Sequence, residues 1–445
     1  MTTITLPTKI SFKEINRLAI PALLAGVIEP VISLTDLAIV GKIKFDTIEI
    51  LAAVGIASSL IAAMTWILAQ TSSAISAIVS QYYGAKKLDK VESLVAQTIT
   101  FSLMMSIIIT LLSRYYSVEL FKLYNANGKI LQYAVDYFNI RVWGFPLTLI
   151  TFTLYGVFRG MQNTVWSMYI GLTGGLIHIA LDLILVFGVQ GVIDPMYIKG
   201  AAYASLTTQI MMLAVAFYFL YTKTPFRLKL SDKFHPELSR LINLSINLFL
   251  RTAALNFAFY IANRYATGYG KEQIAAHSIM VNIFLFTAFI IDGYGNAGNA
   301  LSGKLLGSRD FKTLWLLGLD LGKICCIVAI IISALGAVLY IPIGKLFISE
   351  PQTLNVFFRT FWMLLIMMPI NAVAFIFDGI YKGLGEATFL RNLLLSATFL
   401  GFIPTLWIGD HFHFQLYGIW IAFIVFMLVR ALGSIWKFRT KYLTE

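Results

Sequence analysis

The feature that most constrains this chain is a repeated block of apolar residues, roughly 18–25 long, set between short polar breaks. A helix of about 20 residues crosses the ~30 Å hydrocarbon core of a bilayer. Within hydrocarbon every backbone N–H and C=O must be satisfied internally, which leaves helices or closed barrels. Barrel strands alternate apolar and polar residues over segments of about ten, whereas these runs are continuous. Composition agrees, since 58% of the 445 residues are hydrophobic and 13% are charged, against about 25% charged in soluble domains. The pattern predicts an all-α membrane protein with twelve spans, at 15–41, 49–80, 91–113, 130–156, 163–188, 199–222, 239–264, 272–300, 312–339, 353–380, 388–409 and 415–437. No small-residue cleavage site follows a short apolar core near the N-terminus, so the first span is expected to be retained.

The net charge is +12, and its distribution speaks to topology. Lys and Arg concentrate in alternate breaks, among them Lys9, Lys13 and Arg17, then Lys86, Lys87 and Lys90, then Lys223, Arg227, Lys229 and Lys233. The positive-inside rule then puts both termini in the cytoplasm, as in a multi-pass protein of the plasma membrane. Nucleic-acid binding needs a clustered basic face, and the sequence offers none, so the bilayer is the expected partner. Cys325 and Cys326 are adjacent inside a span, a placement that suits neither a disulfide framework nor a metal site. They read as small apolar residues, and neither a metal nor an organic cofactor is expected.

The chain also repeats itself. QYYGAKK (Gly84) resembles KLLGSRD (Gly307), GVFRG (Gly156) resembles GIYKG (Gly379), and LAAVG (Leu51) resembles IAAHS (Ile274). All three pairs stand at one and the same offset along the chain. A shared offset implies duplication of a six-span unit. An even number of spans keeps both copies in one orientation, giving parallel repeats about an axis along the membrane normal. The expected domains are an N-lobe over 1–222, a linker over 223–238 and a C-lobe over 239–445. Two bundles facing a central cavity suit a transporter that opens alternately to either side.

The duplication fails at two acids. The same offset leads from Asp36 to Phe259, and from Asp182 to Thr405. Asp36 lies five residues and Asp182 six residues below the external ends of spans 1 and 5, about 8–9 Å deep at 1.5 Å per residue. Tyr137 in span 4 and Ser205 in span 6 come to the same layer from the outside. His178 precedes Asp182 by four residues and shares its helix face. Intramembrane acids are costly and usually face a bundle interior or an aqueous cavity. Burial and a second carboxylate both favour the protonated acid, so the pair suits a proton relay. The competing reading is two acids permanently hydrogen-bonded for packing.

These residues carry a family resemblance. LAIPAL with Pro21, TDLAIVG with Asp36, QYYGAKK, IR-x-W-G-x-P in span 4, GVFRGMQNT, LDLILVFG with Asp182, FIIDGYGNAGNALSGKLLGSRD and DGIYKGLGEAT together resemble the multidrug and toxic compound extrusion (MATE) transporters. The DNA-damage-inducible F branch is the most similar. The resemblance implies two six-helix lobes around a cavity, working as a monomer. It further implies export of amphipathic, often cationic, small molecules in exchange for H⁺ or Na⁺. It assigns proton sensing to Asp36, Asp182, Tyr137, His178 and Ser205, and a bend in span 1 to Pro21, whose missing N–H favours a kink. His178 stands where the branch has asparagine. It either adds a titratable group or donates one hydrogen bond as an amide would.

Secondary ion or substrate candidates are Glu29, Asp292, Asp378, Arg141, Arg251 and Asn299. Glu29 is seven residues before Asp36, beside Pro30. Asp378 with Lys382, and Asp320 with Lys323, have helical spacings that favour structural ion pairs. Asp292 has no such partner and is the better functional candidate of the C-lobe. Asn299 stands where several relatives of the resembled family have glutamate, which weakens a C-lobe carboxylate site. Arg141 and Arg251 are mid-span and must be paired or face a cavity; neutralising a buried acid or capping a carbonyl is the favoured role. A lipid-linked saccharide flippase is the alternative transporter, favoured by the two arginines and opposed by the paired acids. An enzyme is disfavoured, because HIALD lacks the neighbouring nucleophile or metal that acid–base chemistry needs.

Overall fold

The computed structural model describes residues 9–229, 233–348 and 350–442, apart from the side chain of Glu29. Part of the expected linker, 230–232, therefore lies outside the described residues. The described residues of the chain are almost all helical, joined by short connections. Its helices are α1 (Phe12–Val40), α2 (Thr47–Leu68), α3 (Gln70–Gly84), α4 (Glu92–Tyr115), α5 (Ser117–Leu123), α6 (Gly128–Arg141), α7 (Gly144–Gly160), α8 (Val165–Phe187) and α9 (Tyr197–Lys223). They continue as α10 (Pro236–Gly268), α11 (Lys271–Ser308), α12 (Phe311–Val338), α13 (Tyr340–Phe347), α14 (Pro351–Leu384), α15 (Ala387–Ser396), α16 (Ile403–His411) and α17 (Leu416–Tyr442). Among the described residues, 11 helices are long and apolar enough to span a bilayer, and a bent pair makes a twelfth.

That pair is α6–α7, bent by 48°. The apolar pattern reads it as one span, and Gly144 and Pro146 lie at the break. A proline three residues into α7 cannot donate to the preceding turn, and its ring crowds that turn's carbonyl. The Val142 carbonyl instead accepts from the Phe145 N–H at 3.0 Å and from Thr110 Oγ1 at 3.5 Å. Its counterpart at the repeat offset is Pro369, inside an unbroken α14.

The duplication is visible in packing. The α2–α3 stretch Thr47–Gly84 and the helix Lys271–Ser308 are both 38 residues long. The repeated glycines now have a physical reason. A Cβ on Gly156 would stand 2.2 Å from the Ser72 carbonyl oxygen, and one on Gly379 would stand 2.1 Å from that of Gly295. Ser72 and Gly295 are themselves related by the repeat offset. Each GVFRG-type glycine lets its helix touch the backbone of the second spanning segment of its own half.

Two compact units emerge, which divide elsewhere than at the linker alone. One holds Leu24–Tyr82 and Lys86–Ile242; the other holds the chain up to Leu23, Tyr83–Ala85 and Asn243 onward. In the first, α6 packs on α2 and α9, α8 on α9, and α7 on α4. In the second, α14 packs on α11, α12 and α17. Helix α1 changes allegiance along its length. Ala19 and Leu23 crowd Gly293, whereas Ala25 and Ile28 lie against Gly171 and Gly175. Gly84 joins the second unit because its Cα meets the Lys304 backbone, where a Cβ would come within 1.9 Å of the carbonyl oxygen. The division of α1 follows two residues after Pro21.

Candidate functional site

Five of the residues named from the sequence meet inside the first unit. Asp36 comes from α1, Tyr137 from α6, His178 and Asp182 from α8 and Ser205 from α9. All are buried, with the two acids at 0% exposure. The Tyr137 hydroxyl donates to Asp36 Oδ2 at 3.2 Å. His178 Nε2 stands 3.3 Å from Asp36 Oδ1 and 3.0 Å from Ser205 Oγ. Asp36, His178 and Asp182 each bring a polar atom to within 4.8 Å of the others. Local structure explains the convergence. Four residues separate His178 from Asp182, placing both on one face of α8, and α9, which carries Ser205, packs along that helix.

The cluster can hold a proton or a small cation. Among the described residues it is the only grouping of three His, Cys, Asp or Glu side chains with such spacing. Among the described residues, neither buried oxygen of Asp182 meets an N–H donor or a hydroxyl. Its polar neighbour is the Asp36 carboxyl, and two carboxyls can share a hydrogen bond only when one of them is protonated. A buried unsatisfied carboxylate is costly, and a proton removes most of that cost by cancelling the charge. Arg141, one turn beyond Tyr137, is buried with its guanidinium 6.0 Å from the Tyr137 ring centroid. It also acts electrostatically on Asp182, as expected of a mid-span arginine near an acid.

Pro21 lies within α1, which runs through it as one helix. Glu29 is also in α1, but its side chain lies outside the described residues. The remaining candidates belong to the second unit. Asp378 is buried and accepts from Arg251 at 2.7 Å and Lys382 at 2.9 Å. Asp292 is exposed, with Oδ2 accepting from Asn296 at 3.1 Å. Asn299 is buried in α11, and its carbonyl lies where a Cβ on Gly383 would fall. Among the described residues, Asp320 forms its ion pair with Lys9, at 3.8 Å, rather than with the expected Lys323.

The sequence reading missed two polar groups of consequence. Arg430 in α17 is 1% exposed, 3.8 Å from Asp378; a lone arginine inside the apolar run FIVFMLVRALG was the available signal. Outside the spans, Asp46 accepts from Lys129 at 2.7 Å and from Tyr133 at 2.7 Å. Those two donors hold the Asp46 carboxyl below the usual carboxylate range.

Both halves of the chain match a known family. The family model described as MatE covers residues 21–184 and 248–407. DNA damage-inducible protein F of Escherichia coli (strain K12) is 25% identical over 443 residues, covering 96% of this chain and 92% of its own. Probable multidrug resistance protein YoeA of Bacillus subtilis (strain 168) is 21% identical over 429 residues, covering 93% and 90%. The crystal structure of the Vibrio cholerae MATE transporter VcmN in the bent form matches with a TM-score of 0.89 at 17% identity, covering 97% of each chain, a likeness of fold. With the model spread over most of its length, the chain belongs to the MatE family of membrane transporters.

Proposed function

We propose that the protein is a proton-coupled antiporter that exports amphipathic, cationic organic compounds by alternating access, as a monomer in the plasma membrane with both termini cytoplasmic. The observation that carries the reading is the buried Asp36–Tyr137–His178–Asp182 cluster. Two acids share one dry layer, and Asp36 already has a phenol and an imidazole against it. Multidrug resistance is what the name of the Bacillus relative says of that protein, and export is one route to resistance.

In this scheme Asp36 and Asp182 take up protons from outside, and neutralisation removes the charge that keeps the cluster polar. Helix α1 then repacks near Pro21, where its neighbours change from one unit to the other, and substrate is released. Loss of the protons to the cytoplasm resets the carrier. Each proton entering down 100 mV makes about 2.3 kcal/mol available.

Sodium coupling is the second reading, because three polar atoms within 4.8 Å also suit a small cation. The C-lobe acid gives sodium little support, since Asp378 is occupied by Arg251 and Lys382. A saccharide flippase remains the third, with less to favour it. Efflux of a fluorescent cation from liposomes under an imposed pH or Na⁺ gradient separates them. Proton coupling requires efflux driven by the pH gradient alone; efflux driven only by Na⁺ overturns it.

A further inference from the structure

The second unit buries an imbalance of charge. Three cations, Arg251 of α10, Lys382 of α14 and Arg430 of α17, surround the single carboxylate of Asp378. Arg251 Nη2 and Nε lie 2.7 and 2.9 Å from Oδ1, and Lys382 Nζ lies 2.9 Å from Oδ2. Both carboxylate oxygens are thus taken. Arg430 stands further off, its Nη2 3.8 Å from Oδ1 and, among the described residues, without a hydrogen-bond partner.

Arg430 is 1% exposed. Its guanidinium rests over the rings of Phe375 at 5.2 Å and Phe426 at 5.5 Å, and Nη1 reaches the Met427 sulfur at 3.2 Å. These contacts shield the charge without cancelling it. Buried charges inside a membrane protein are ordinarily paired, and a guanidinium presents a planar fork matched to two oxygens. A structural ion pair needs one cation, or two for a bidentate carboxylate. The third, with a free donor pointed into the cluster, is left over.

A further cation, Arg391 of α15, reaches α10 one turn away. Asn247, one turn before Arg251, accepts from Arg391 Nη1 at 2.7 Å through its side-chain oxygen.

We propose that Arg430, Arg251 and Lys382 form a binding site for an anion that bears two oxygens on one carbon, sulfur or phosphorus centre. The ligand class is a carboxylate carried by an organic compound or a free inorganic oxyanion. Arg430 supplies the open donor, Nη2, and Arg251 and Lys382 supply the remaining charge that Asp378 only partly offsets. The site stands on the geometry of the second unit and is independent of any role for Asp36. It enlarges the range of compounds the protein handles, because a zwitterion could be held by its acidic end.

Asp378→Asn gives the proposal a sign that a packing role does not share. Removing the carboxylate leaves three cations with no acid, so anion binding tightens and the variant, weakened by the broken pair, recovers thermal stability when anion is added. Arg430→Gln removes that charged donor, and binding weakens by about tenfold or more, the worth of a charge-assisted hydrogen bond. The measurement is calorimetric titration and thermal melting of the purified full chain with succinate or sulfate, against chloride at matched ionic strength. Binding of succinate alone assigns an organic carboxylate; binding of both extends the site to inorganic oxyanions. The proposal is overturned if neither anion binds more strongly than chloride. It is equally overturned if Asp378→Asn gains no anion-dependent stabilisation beyond wild type, a result that stands even should Arg430→Gln fail to fold.

Discussion

Tyr137 and Asp36 lie 101 residues apart in sequence and are joined by a 3.2 Å hydrogen bond in which the phenol donates to Oδ2. Both side chains are wholly buried, so water cannot replace the phenol if it is lost. Tyr137→Phe should therefore lower proton-driven efflux by about tenfold, the scale of one charge-assisted hydrogen bond. Initial efflux rates from liposomes under a fixed pH gradient provide the check, and an unchanged rate would mean the phenol is not part of the coupling.

His178 sits between Asp36 Oδ1 and Ser205 Oγ, a position an amide could fill with one donor and one acceptor. His178→Asn should retain most of the transport, whereas His178→Leu should leave two buried polar groups short of a partner. The leucine variant is then less stable by about 1–3 kcal/mol, read by thermal unfolding in detergent. Equal loss of transport in both variants would instead point to a titrating imidazole.

The repeated close approaches make a paired prediction. Gly156→Ala and Gly379→Ala each force a Cβ to 2.2 and 2.1 Å from a backbone carbonyl oxygen. Backbone is the clash partner, so neither site relaxes easily, and each substitution should destabilise its unit by about 1–3 kcal/mol. Comparable losses in the two variants, measured by unfolding, would reflect equivalent places in the duplication; a neutral change at either would contradict the contact described.

Acid sensitivity outside the spans centres on Asp46, whose carboxyl is held low by hydrogen bonds from Lys129 and Tyr133. A depressed folded-state value means that its stabilising contribution is present above the ordinary carboxylate pKa of about 3.9 and is lost as pH falls through the folded value. Wild type should thus exceed Asp46→Asn in melting temperature at pH 7, with the gap closing as pH falls below the ordinary carboxylate range. A gap independent of pH would rule out the ion pair as its source. The effect is small, because the Lys129 side chain is largely exposed.

What the sequence disclosed and what it hid follow from distance along the chain. Helical rise alone put Asp36, Tyr137, Asp182 and Ser205 in one layer, since depth in a membrane is a count of residues from a span's end. The i,i+4 pairing of Asp378 with Lys382 was readable for the same reason. Arg251 and Arg430 reach Asp378 from the separate helices α10 and α17, and no local periodicity encodes such a meeting. Asp292 looked functional because no partner lay at helical spacing for an ion pair. The structure gives it Asn296, an uncharged partner at i+4. The bend after Arg141 was signalled by Gly144 and Pro146 but masked by the continuous apolar run around them.

The most direct measurement is efflux of a fluorescent cation from liposomes holding wild-type protein or Asp36→Asn, with a pH gradient as the only driving force. The account predicts rapid export by wild type and none above background by the variant, with both proteins equally well folded. Full proton-driven export by Asp36→Asn would contradict it.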